Sequence, residues 1–130
     1  MKKETICAFS GFDGQLLKNG VPLANEKVIR QYEWADEIHQ EETTTDENGY
    51  FSFESAWENY EYRIEFNFCV PQEIRTTDEL IPIFGGGKLR KHEFSEFNDH
   101  RCLVVFEITE PLSRWDIAGN QSLSNGKIKG

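Results

Sequence analysis

Apolar and polar residues alternate with a period of two along most of this chain, and Gly, Asn and Asp cut the alternation at short intervals. Successive side chains of a pleated strand point to opposite faces, so the pattern predicts strands rather than helices. The clearest run sets Tyr60, Tyr62, Ile64, Phe66 and Phe68 against Glu61, Arg63, Glu65 and Asn67, a strand with one buried face that ends, or meets a sheet edge, at Pro71. Residues 6 to 17 form another strand, bent near Gly11 or Gly14, and Asn19-Gly20 after it marks a two-residue hairpin. Val28, Arg30, Tyr32 and Trp34 share one face of the next strand.

Residues 35 to 42, "ADEIHQEE", read as a solvated loop. Thr43, Thr44 and Thr45 then form a β-branched strand running into Asp46, Glu47, Asn48 and Gly49, after which Phe51 and Phe53 point inward. This stretch is expected to be a hairpin. Gly85 to Gly87 suggest a flexible turn, and Arg101 to Thr109, apolar on both faces, a central strand. Beyond Pro111 the pattern decays. The expected organisation is one domain over residues 1–112 and a polar, mobile tail over 113–130: an all-β, antiparallel sandwich of about seven strands.

Charge narrows the partners. With 23 acidic against 14 basic residues the net charge is −9, which disfavours nucleic acid and anionic membrane surfaces and favours a basic protein. No apolar run approaches the roughly 20 residues of a membrane helix, and "ICAF" near the start is too short for a signal peptide, so a cytoplasmic location without membrane insertion is expected. Ten Phe predict a core built from rings. Cys7, Cys69 and Cys102 are widely spaced and flanked by apolar residues, as buried reduced thiols are.

"GQLLKNGVPLANEKVIR" followed by "TTTDENGYFSF" resembles the signature of carboxypeptidase regulatory-like domains, which belong to the transthyretin-like sandwich group. Gly20, Pro22, Leu23, Ala24, Val28, Thr43, Thr45, Asp46, Gly49, Phe51 and Phe53 fill the matching positions, while Glu26 stands where a small residue is usual. The rest of the chain is similar to a branch of small stand-alone bacterial proteins. The resemblance implies a noncatalytic binding or scaffolding module.

Catalytic constellations are thin. Hydroxyisourate hydrolases, of similar fold, end in Tyr-Arg-Gly-Ser, whereas this chain ends "SNGKIKG". Tyr60, Tyr62, His92 and His100 supply the residue types of an intradiol dioxygenase iron site without its motif. His92, His100 and Cys102 could form a zinc site of a metal-dependent enzyme, Asp46, Glu47 and Asn48 a calcium loop, and "FGGGK" a phosphate cradle lacking its Ser/Thr ending. For each, core thiols, rim imidazoles and turn chemistry are the simpler account, and no cofactor is implied.

Surface features remain. Trp34, Asp36, Glu37, Ile38, Glu41 and Glu42 in one segment, and Trp57, Glu58 and Tyr60 in another, set aromatic anchors among carboxylates, as contact with a basic protein requires. The concrete expectation is an acidic immunity or adaptor protein that masks a basic toxin or effector. The alternatives are a carbohydrate-binding or envelope module stacking sugars on Trp34, Trp57 and Trp115, and the metal-dependent enzyme.

Overall fold

The computed structural model describes residues 2–62, 68–77, 81–117 and 120–129. Within them the chain is all β, apart from a single 3-10 turn at Ser95–Phe97. Strands β1 (Lys2–Phe9) and β2 (Phe12–Lys18) are one path broken at Ser10 and Gly11. Likewise β6 (Tyr50–Phe53) and β7 (Ala56–Tyr62) are one path broken at Glu54 and Ser55. Both paths bend at the same level, with Phe12 opposite Phe53 below the corner and Phe9 opposite Ala56 above it. These corners account for two of the thirteen strands seen among the described residues where about seven were expected; others come from segments read as loop or tail, such as β5 (Glu37–Thr44), β11 (Ser113–Arg114), β12 (Asn120–Ser124) and β13 (Gly126–Ile128).

One sheet carries β3 (Val21–Pro22) and β6 on one side of β2, and β10 (Leu103–Glu107) with β13 (Gly126–Ile128) on the other. The hairpin predicted at Asn19-Gly20 is present, with both residues at positive φ. The facing sheet runs β11 (Ser113–Arg114), β12 (Asn120–Ser124), β9 (Pro82–Lys88), β8 (Val70–Thr76), β4 (Lys27–Trp34) and β5 (Glu37–Thr44). Between the sheets lies the expected core of rings: Phe12 meets Phe51, Phe53, Phe97 and Phe106 at centroid distances of 5.0 to 6.2 Å. Burying each such ring contributes about 1.5–3 kcal/mol, so these contacts dominate the stability of the sandwich.

Several expectations are corrected. The segment 35–42 is no loop: it forms the tip of the β4–β5 hairpin and most of β5, an exposed strand whose polarity follows from its position at the sheet edge. Thr43 to Phe53 is not a hairpin, because β5 pairs with β4 while β6 pairs with β2 in the opposite sheet. The Asp46 turn is therefore a crossover. Its carboxylate accepts the amides of Asn48 (2.8 Å) and Tyr50 (2.9 Å), as the turn chemistry predicted. Gly49, at φ 79°, lies so close to β2 that a Cβ would stand 2.6 Å from the Leu16 carbonyl oxygen.

Gly85 to Gly87 lie inside β9 rather than in a turn. At Gly86 a Cβ would fall 2.2 Å from the Gln121 carbonyl oxygen, so the missing side chain is what admits β12. Pro71 lies within β8, next to the last β4–β8 pair, Tyr32–Gln72. β10 is central as expected but runs parallel to β2, a departure from the antiparallel plan. Residues from Ser113 onward, expected as a tail, supply β11, β12, β13 and the buried ring of Trp115. The strand expected over Tyr60 to Phe68 is seen as far as Tyr62; Arg63, Ile64, Glu65, Phe66 and Asn67 lie outside the described residues. Tyr60 is half-buried rather than in the core, and Cys69 is exposed, while Cys7 and Cys102 are buried free thiols.

Candidate functional site

The β4–β5 hairpin turns on Ala35 and Asp36, both at positive φ (52° and 61°), as a two-residue turn of this hand requires. The tip projects beyond the sheet beside β7, and an open cleft of about 680 Å³ lies between them. Trp34, half-buried, stands edge-on to Tyr60 at 5.5 Å and against Phe68 at 6.1 Å. Glu33, Asp36 and Glu61 supply carboxylates to the lining, and among the described residues no basic side chain does. Glu61 is paired with exposed Lys3 at 3.5 Å, and the Lys91 ammonium lies 5.1 Å from the centroid of the Tyr60 ring.

Of the nine residues singled out from sequence, the cleft brings together Trp34, Asp36 and Tyr60. The others have different surroundings. Glu58 accepts the Tyr32 hydroxyl at 2.6 Å, and His39 stacks on Tyr32 at 4.9 Å with Glu37 and Glu58 each 3.9 Å from its Nε2. Burial, then the hydrogen bond to Glu58, push the Tyr32 hydroxyl well above its ordinary pKa, so it remains a neutral donor. Glu41 receives the Arg30 guanidinium at 2.8 Å and Glu42 lies 3.5 Å from Lys27. Ile38 and Trp57 stand in solvent, 66% and 49% exposed. Glu33 and Cys69 are cleft residues that the sequence reading missed. Glu33 precedes a marked tryptophan; Cys69 returns to the tip only through tertiary structure.

A second polar cluster, unmarked by any sequence pattern, lies inside the sandwich at the β1–β2 corner. Glu96 accepts the Ser10 amide (2.8 Å), the Ser10 hydroxyl (2.7 Å) and the Gln72 side-chain amide (3.1 Å), and pairs with Lys88 at 3.2 Å. Arg30, also buried, donates to the carbonyls of Ser10 and Glu54 and lies 4.8 Å from the ring centres of both Phe9 and Phe53. Cys7 is 3.4 Å from the Ser10 hydroxyl, but burial pushes its thiol upward and it has no access to solvent. The cluster pairs most of its buried polar groups, leaving Arg30 Nε and Gln72 Oε1 without a hydrogen bond among the described residues, and joins β1, β4, β8 and β9.

The other candidates are dispersed. His92 bonds Asp99 and His100 the Asn98 carbonyl, both in the connection between β9 and β10, while burial pushes the Cys102 thiol to about 11. Among the described residues no group of three or more His, Cys, Asp or Glu is arranged for a metal ion. The Asp46 carboxylate is taken up by its own turn. Trp115 is buried against Phe84 and Phe97, and so supplies no exposed face for a sugar beside Trp34 and Trp57. No helix among the described residues is long and apolar enough to cross a membrane.

The chain belongs to the family described as a domain of unknown function, DUF6795, whose model matches residues 12–111. The match spans β2 to β10 and with them the whole β4–β5 hairpin and β7. Comparison with curated proteins and with solved structures finds no match.

Proposed function

We propose that this DUF6795 member is a noncatalytic binding module whose acidic, aromatic cleft takes a basic protein, in its most concrete form an immunity or adaptor protein masking a basic toxin or effector. The observation that carries the reading is the convergence of Trp34 and Asp36, from the β4–β5 hairpin, with Tyr60 of β7 on one open cleft lined by Glu33 and Glu61. A half-buried indole beside carboxylates offers an apolar anchor and a polar rim, the combination that concentrates binding energy on few residues. The net charge of −9 adds long-range attraction for a cationic partner. Its resemblance to carboxypeptidase regulatory-like domains supports the same reading, since those modules bind rather than catalyse.

The test is affinity capture from the source cell with wild type, Trp34→Ala and Asp36→Lys, followed by calorimetry with the captured protein at several salt concentrations. Trp34→Ala is expected to cost about 2 kcal/mol of binding, and Asp36→Lys to slow association. A partner whose binding ignores both substitutions and the ionic strength would overturn the reading.

A further inference from the structure

The cleft lies at one end of β5, and β5 is itself the outer strand of the six-stranded sheet. Its register with β4 runs unbroken over eight pairs, from Lys27–Thr44 to Trp34–Glu37. Counted from the two-residue turn, the hydrogen-bonded pairs are Trp34–Glu37, Tyr32–His39, Arg30–Glu41 and Val28–Thr43. The bond from the Thr45 amide to the Glu26 carbonyl, 2.9 Å, continues that phase. It follows that Ile38, Gln40, Glu42 and Thr44 turn their backbone N–H and C=O groups away from β4. No other part of the described chain bonds those groups. Sheet edges are ordinarily blunted by charged side chains, proline, bulges or a covering element. β5 has no proline and no register shift, and its safeguard is the carboxylates of Glu37, Glu41 and Glu42, which repel a like-charged strand and attract a basic one.

We propose that β5 receives a strand from the partner, an extended segment with Lys or Arg at alternate positions that pairs with the outward backbone of Ile38, Gln40, Glu42 and Thr44. Charge selects the occupant. Among the described residues no lysine or arginine pairs with Glu33, Asp36 or Glu37, which flank the edge at the cleft end, and Glu42 lies 3.5 Å from Lys27. A second copy is disfavoured, since antiparallel pairing of two β5 strands would set Glu37, Glu41 and Glu42 of both along one seam. Ile38, the most exposed large apolar residue among those described, faces the same side as Gln40 and Glu42 and gives the incoming strand an apolar neighbour.

The inference rests on the partner-binding reading and can fail separately from it. The probe is a fluorescein-labelled Lys-Val-Lys-Val-Lys-Val-Lys peptide titrated by anisotropy, with a Glu-Val repeat and a peptide N-methylated at alternate residues as comparisons. Wild type is expected to bind only the unmodified lysine peptide, with hydrogen exchange slowed at the Ile38, Gln40 and Glu42 amides. Gln40→Pro removes one outward N–H while sparing the β4 ladder, and is expected to weaken binding about tenfold. Equal binding of the N-methylated peptide, exchange protection mapping elsewhere, no binding, or dimerisation through β5 in sedimentation would each overturn the proposal. A natural partner that is lost with Trp34→Ala but retained by Gln40→Pro would overturn the edge and leave the cleft standing.

Discussion

Lys88 and Glu96 form an ion pair at 3.2 Å in which neither side chain is exposed. Withdrawing two charges from water costs several kcal/mol each, and the pair persists because its other valences are filled. The ammonium also donates to the carbonyls of Arg90 and His92 and to the Ser95 hydroxyl, while the carboxylate accepts from Ser10 and Gln72. The pair thereby fastens the connection after β9 to the β1–β2 corner. Lys88→Met, which strands the carboxylate, should cost about 3–5 kcal/mol in urea unfolding. Lys88→Met with Glu96→Leu should recover part of that loss, since Ser10 and Gln72 still lose their acceptor. A single variant no worse than the double one would show that the pair has little mutual dependence.

Glu107 joins β10 to the β2–β3 turn. Burial raises its carboxyl pKa, but the hydroxyl and amide of Thr109 with the amides of Gly20 and Asn19 outweigh that effect, and the net shift is below the usual value. A depressed carboxylate contributes stability that is present above its unfolded pKa and lost as pH falls through the folded one. Glu107→Gln should therefore lose about 1 kcal/mol at neutral pH and show a flatter stability profile on the acid side. Thermal melts from pH 6 downward decide it; parallel profiles would remove the role.

Thiol reactivity should separate the three cysteines. Cys69 is exposed, whereas Cys7 and Cys102 are buried with thiols pushed upward by desolvation. Ellman's reagent at pH 8 should report one fast equivalent in the native protein and three after denaturation. A native count of two or more would place Cys7 or Cys102 within reach of solvent.

Deleting residues 113–130 should abolish cooperative unfolding. The cut removes β12 from β9, β13 from β10, and Trp115, whose ring packs on Phe84 and Phe97 and whose Nε1 donates to the Glu96 carbonyl at 2.7 Å. Trp115→Ala alone should cost about 3–5 kcal/mol. A truncated chain with an intact urea transition would restore the view of this segment as a dispensable tail.

Much of the fold is legible because local chemistry fixes it. Asn19-Gly20 determines its own turn, Asp46 its own hydrogen bonds, and the alternation about Phe51 and Phe53 their inward direction. What escaped depends on neighbours distant in sequence. Gly86 reads as a turn until β12 lies against it, and 120–128 reads as a tail because polar strands at a sheet margin carry no apolar period. β5 has the composition of a loop for the same reason. The cleft was half visible: Trp34, Asp36 and Tyr60 stand out by type, but nothing local shows that they meet, and Arg30, Lys88 and Glu96 give no sign of being buried.

The parallel pairing of β2 with β10 joins Asp13 to Leu103, and β13 then adds to β10 only at Gly126–Ile128. Contacts spanning most of a chain are entropically costly to form first, so folding is expected to be slow, on the milliseconds-to-seconds scale of non-local β topologies. During synthesis the ring-lined sheet built around Phe12, Phe51 and Phe53 would wait for the strand that pairs beside β2 until Phe106 clears the ribosome exit. In that interval it is a natural client for a chaperone.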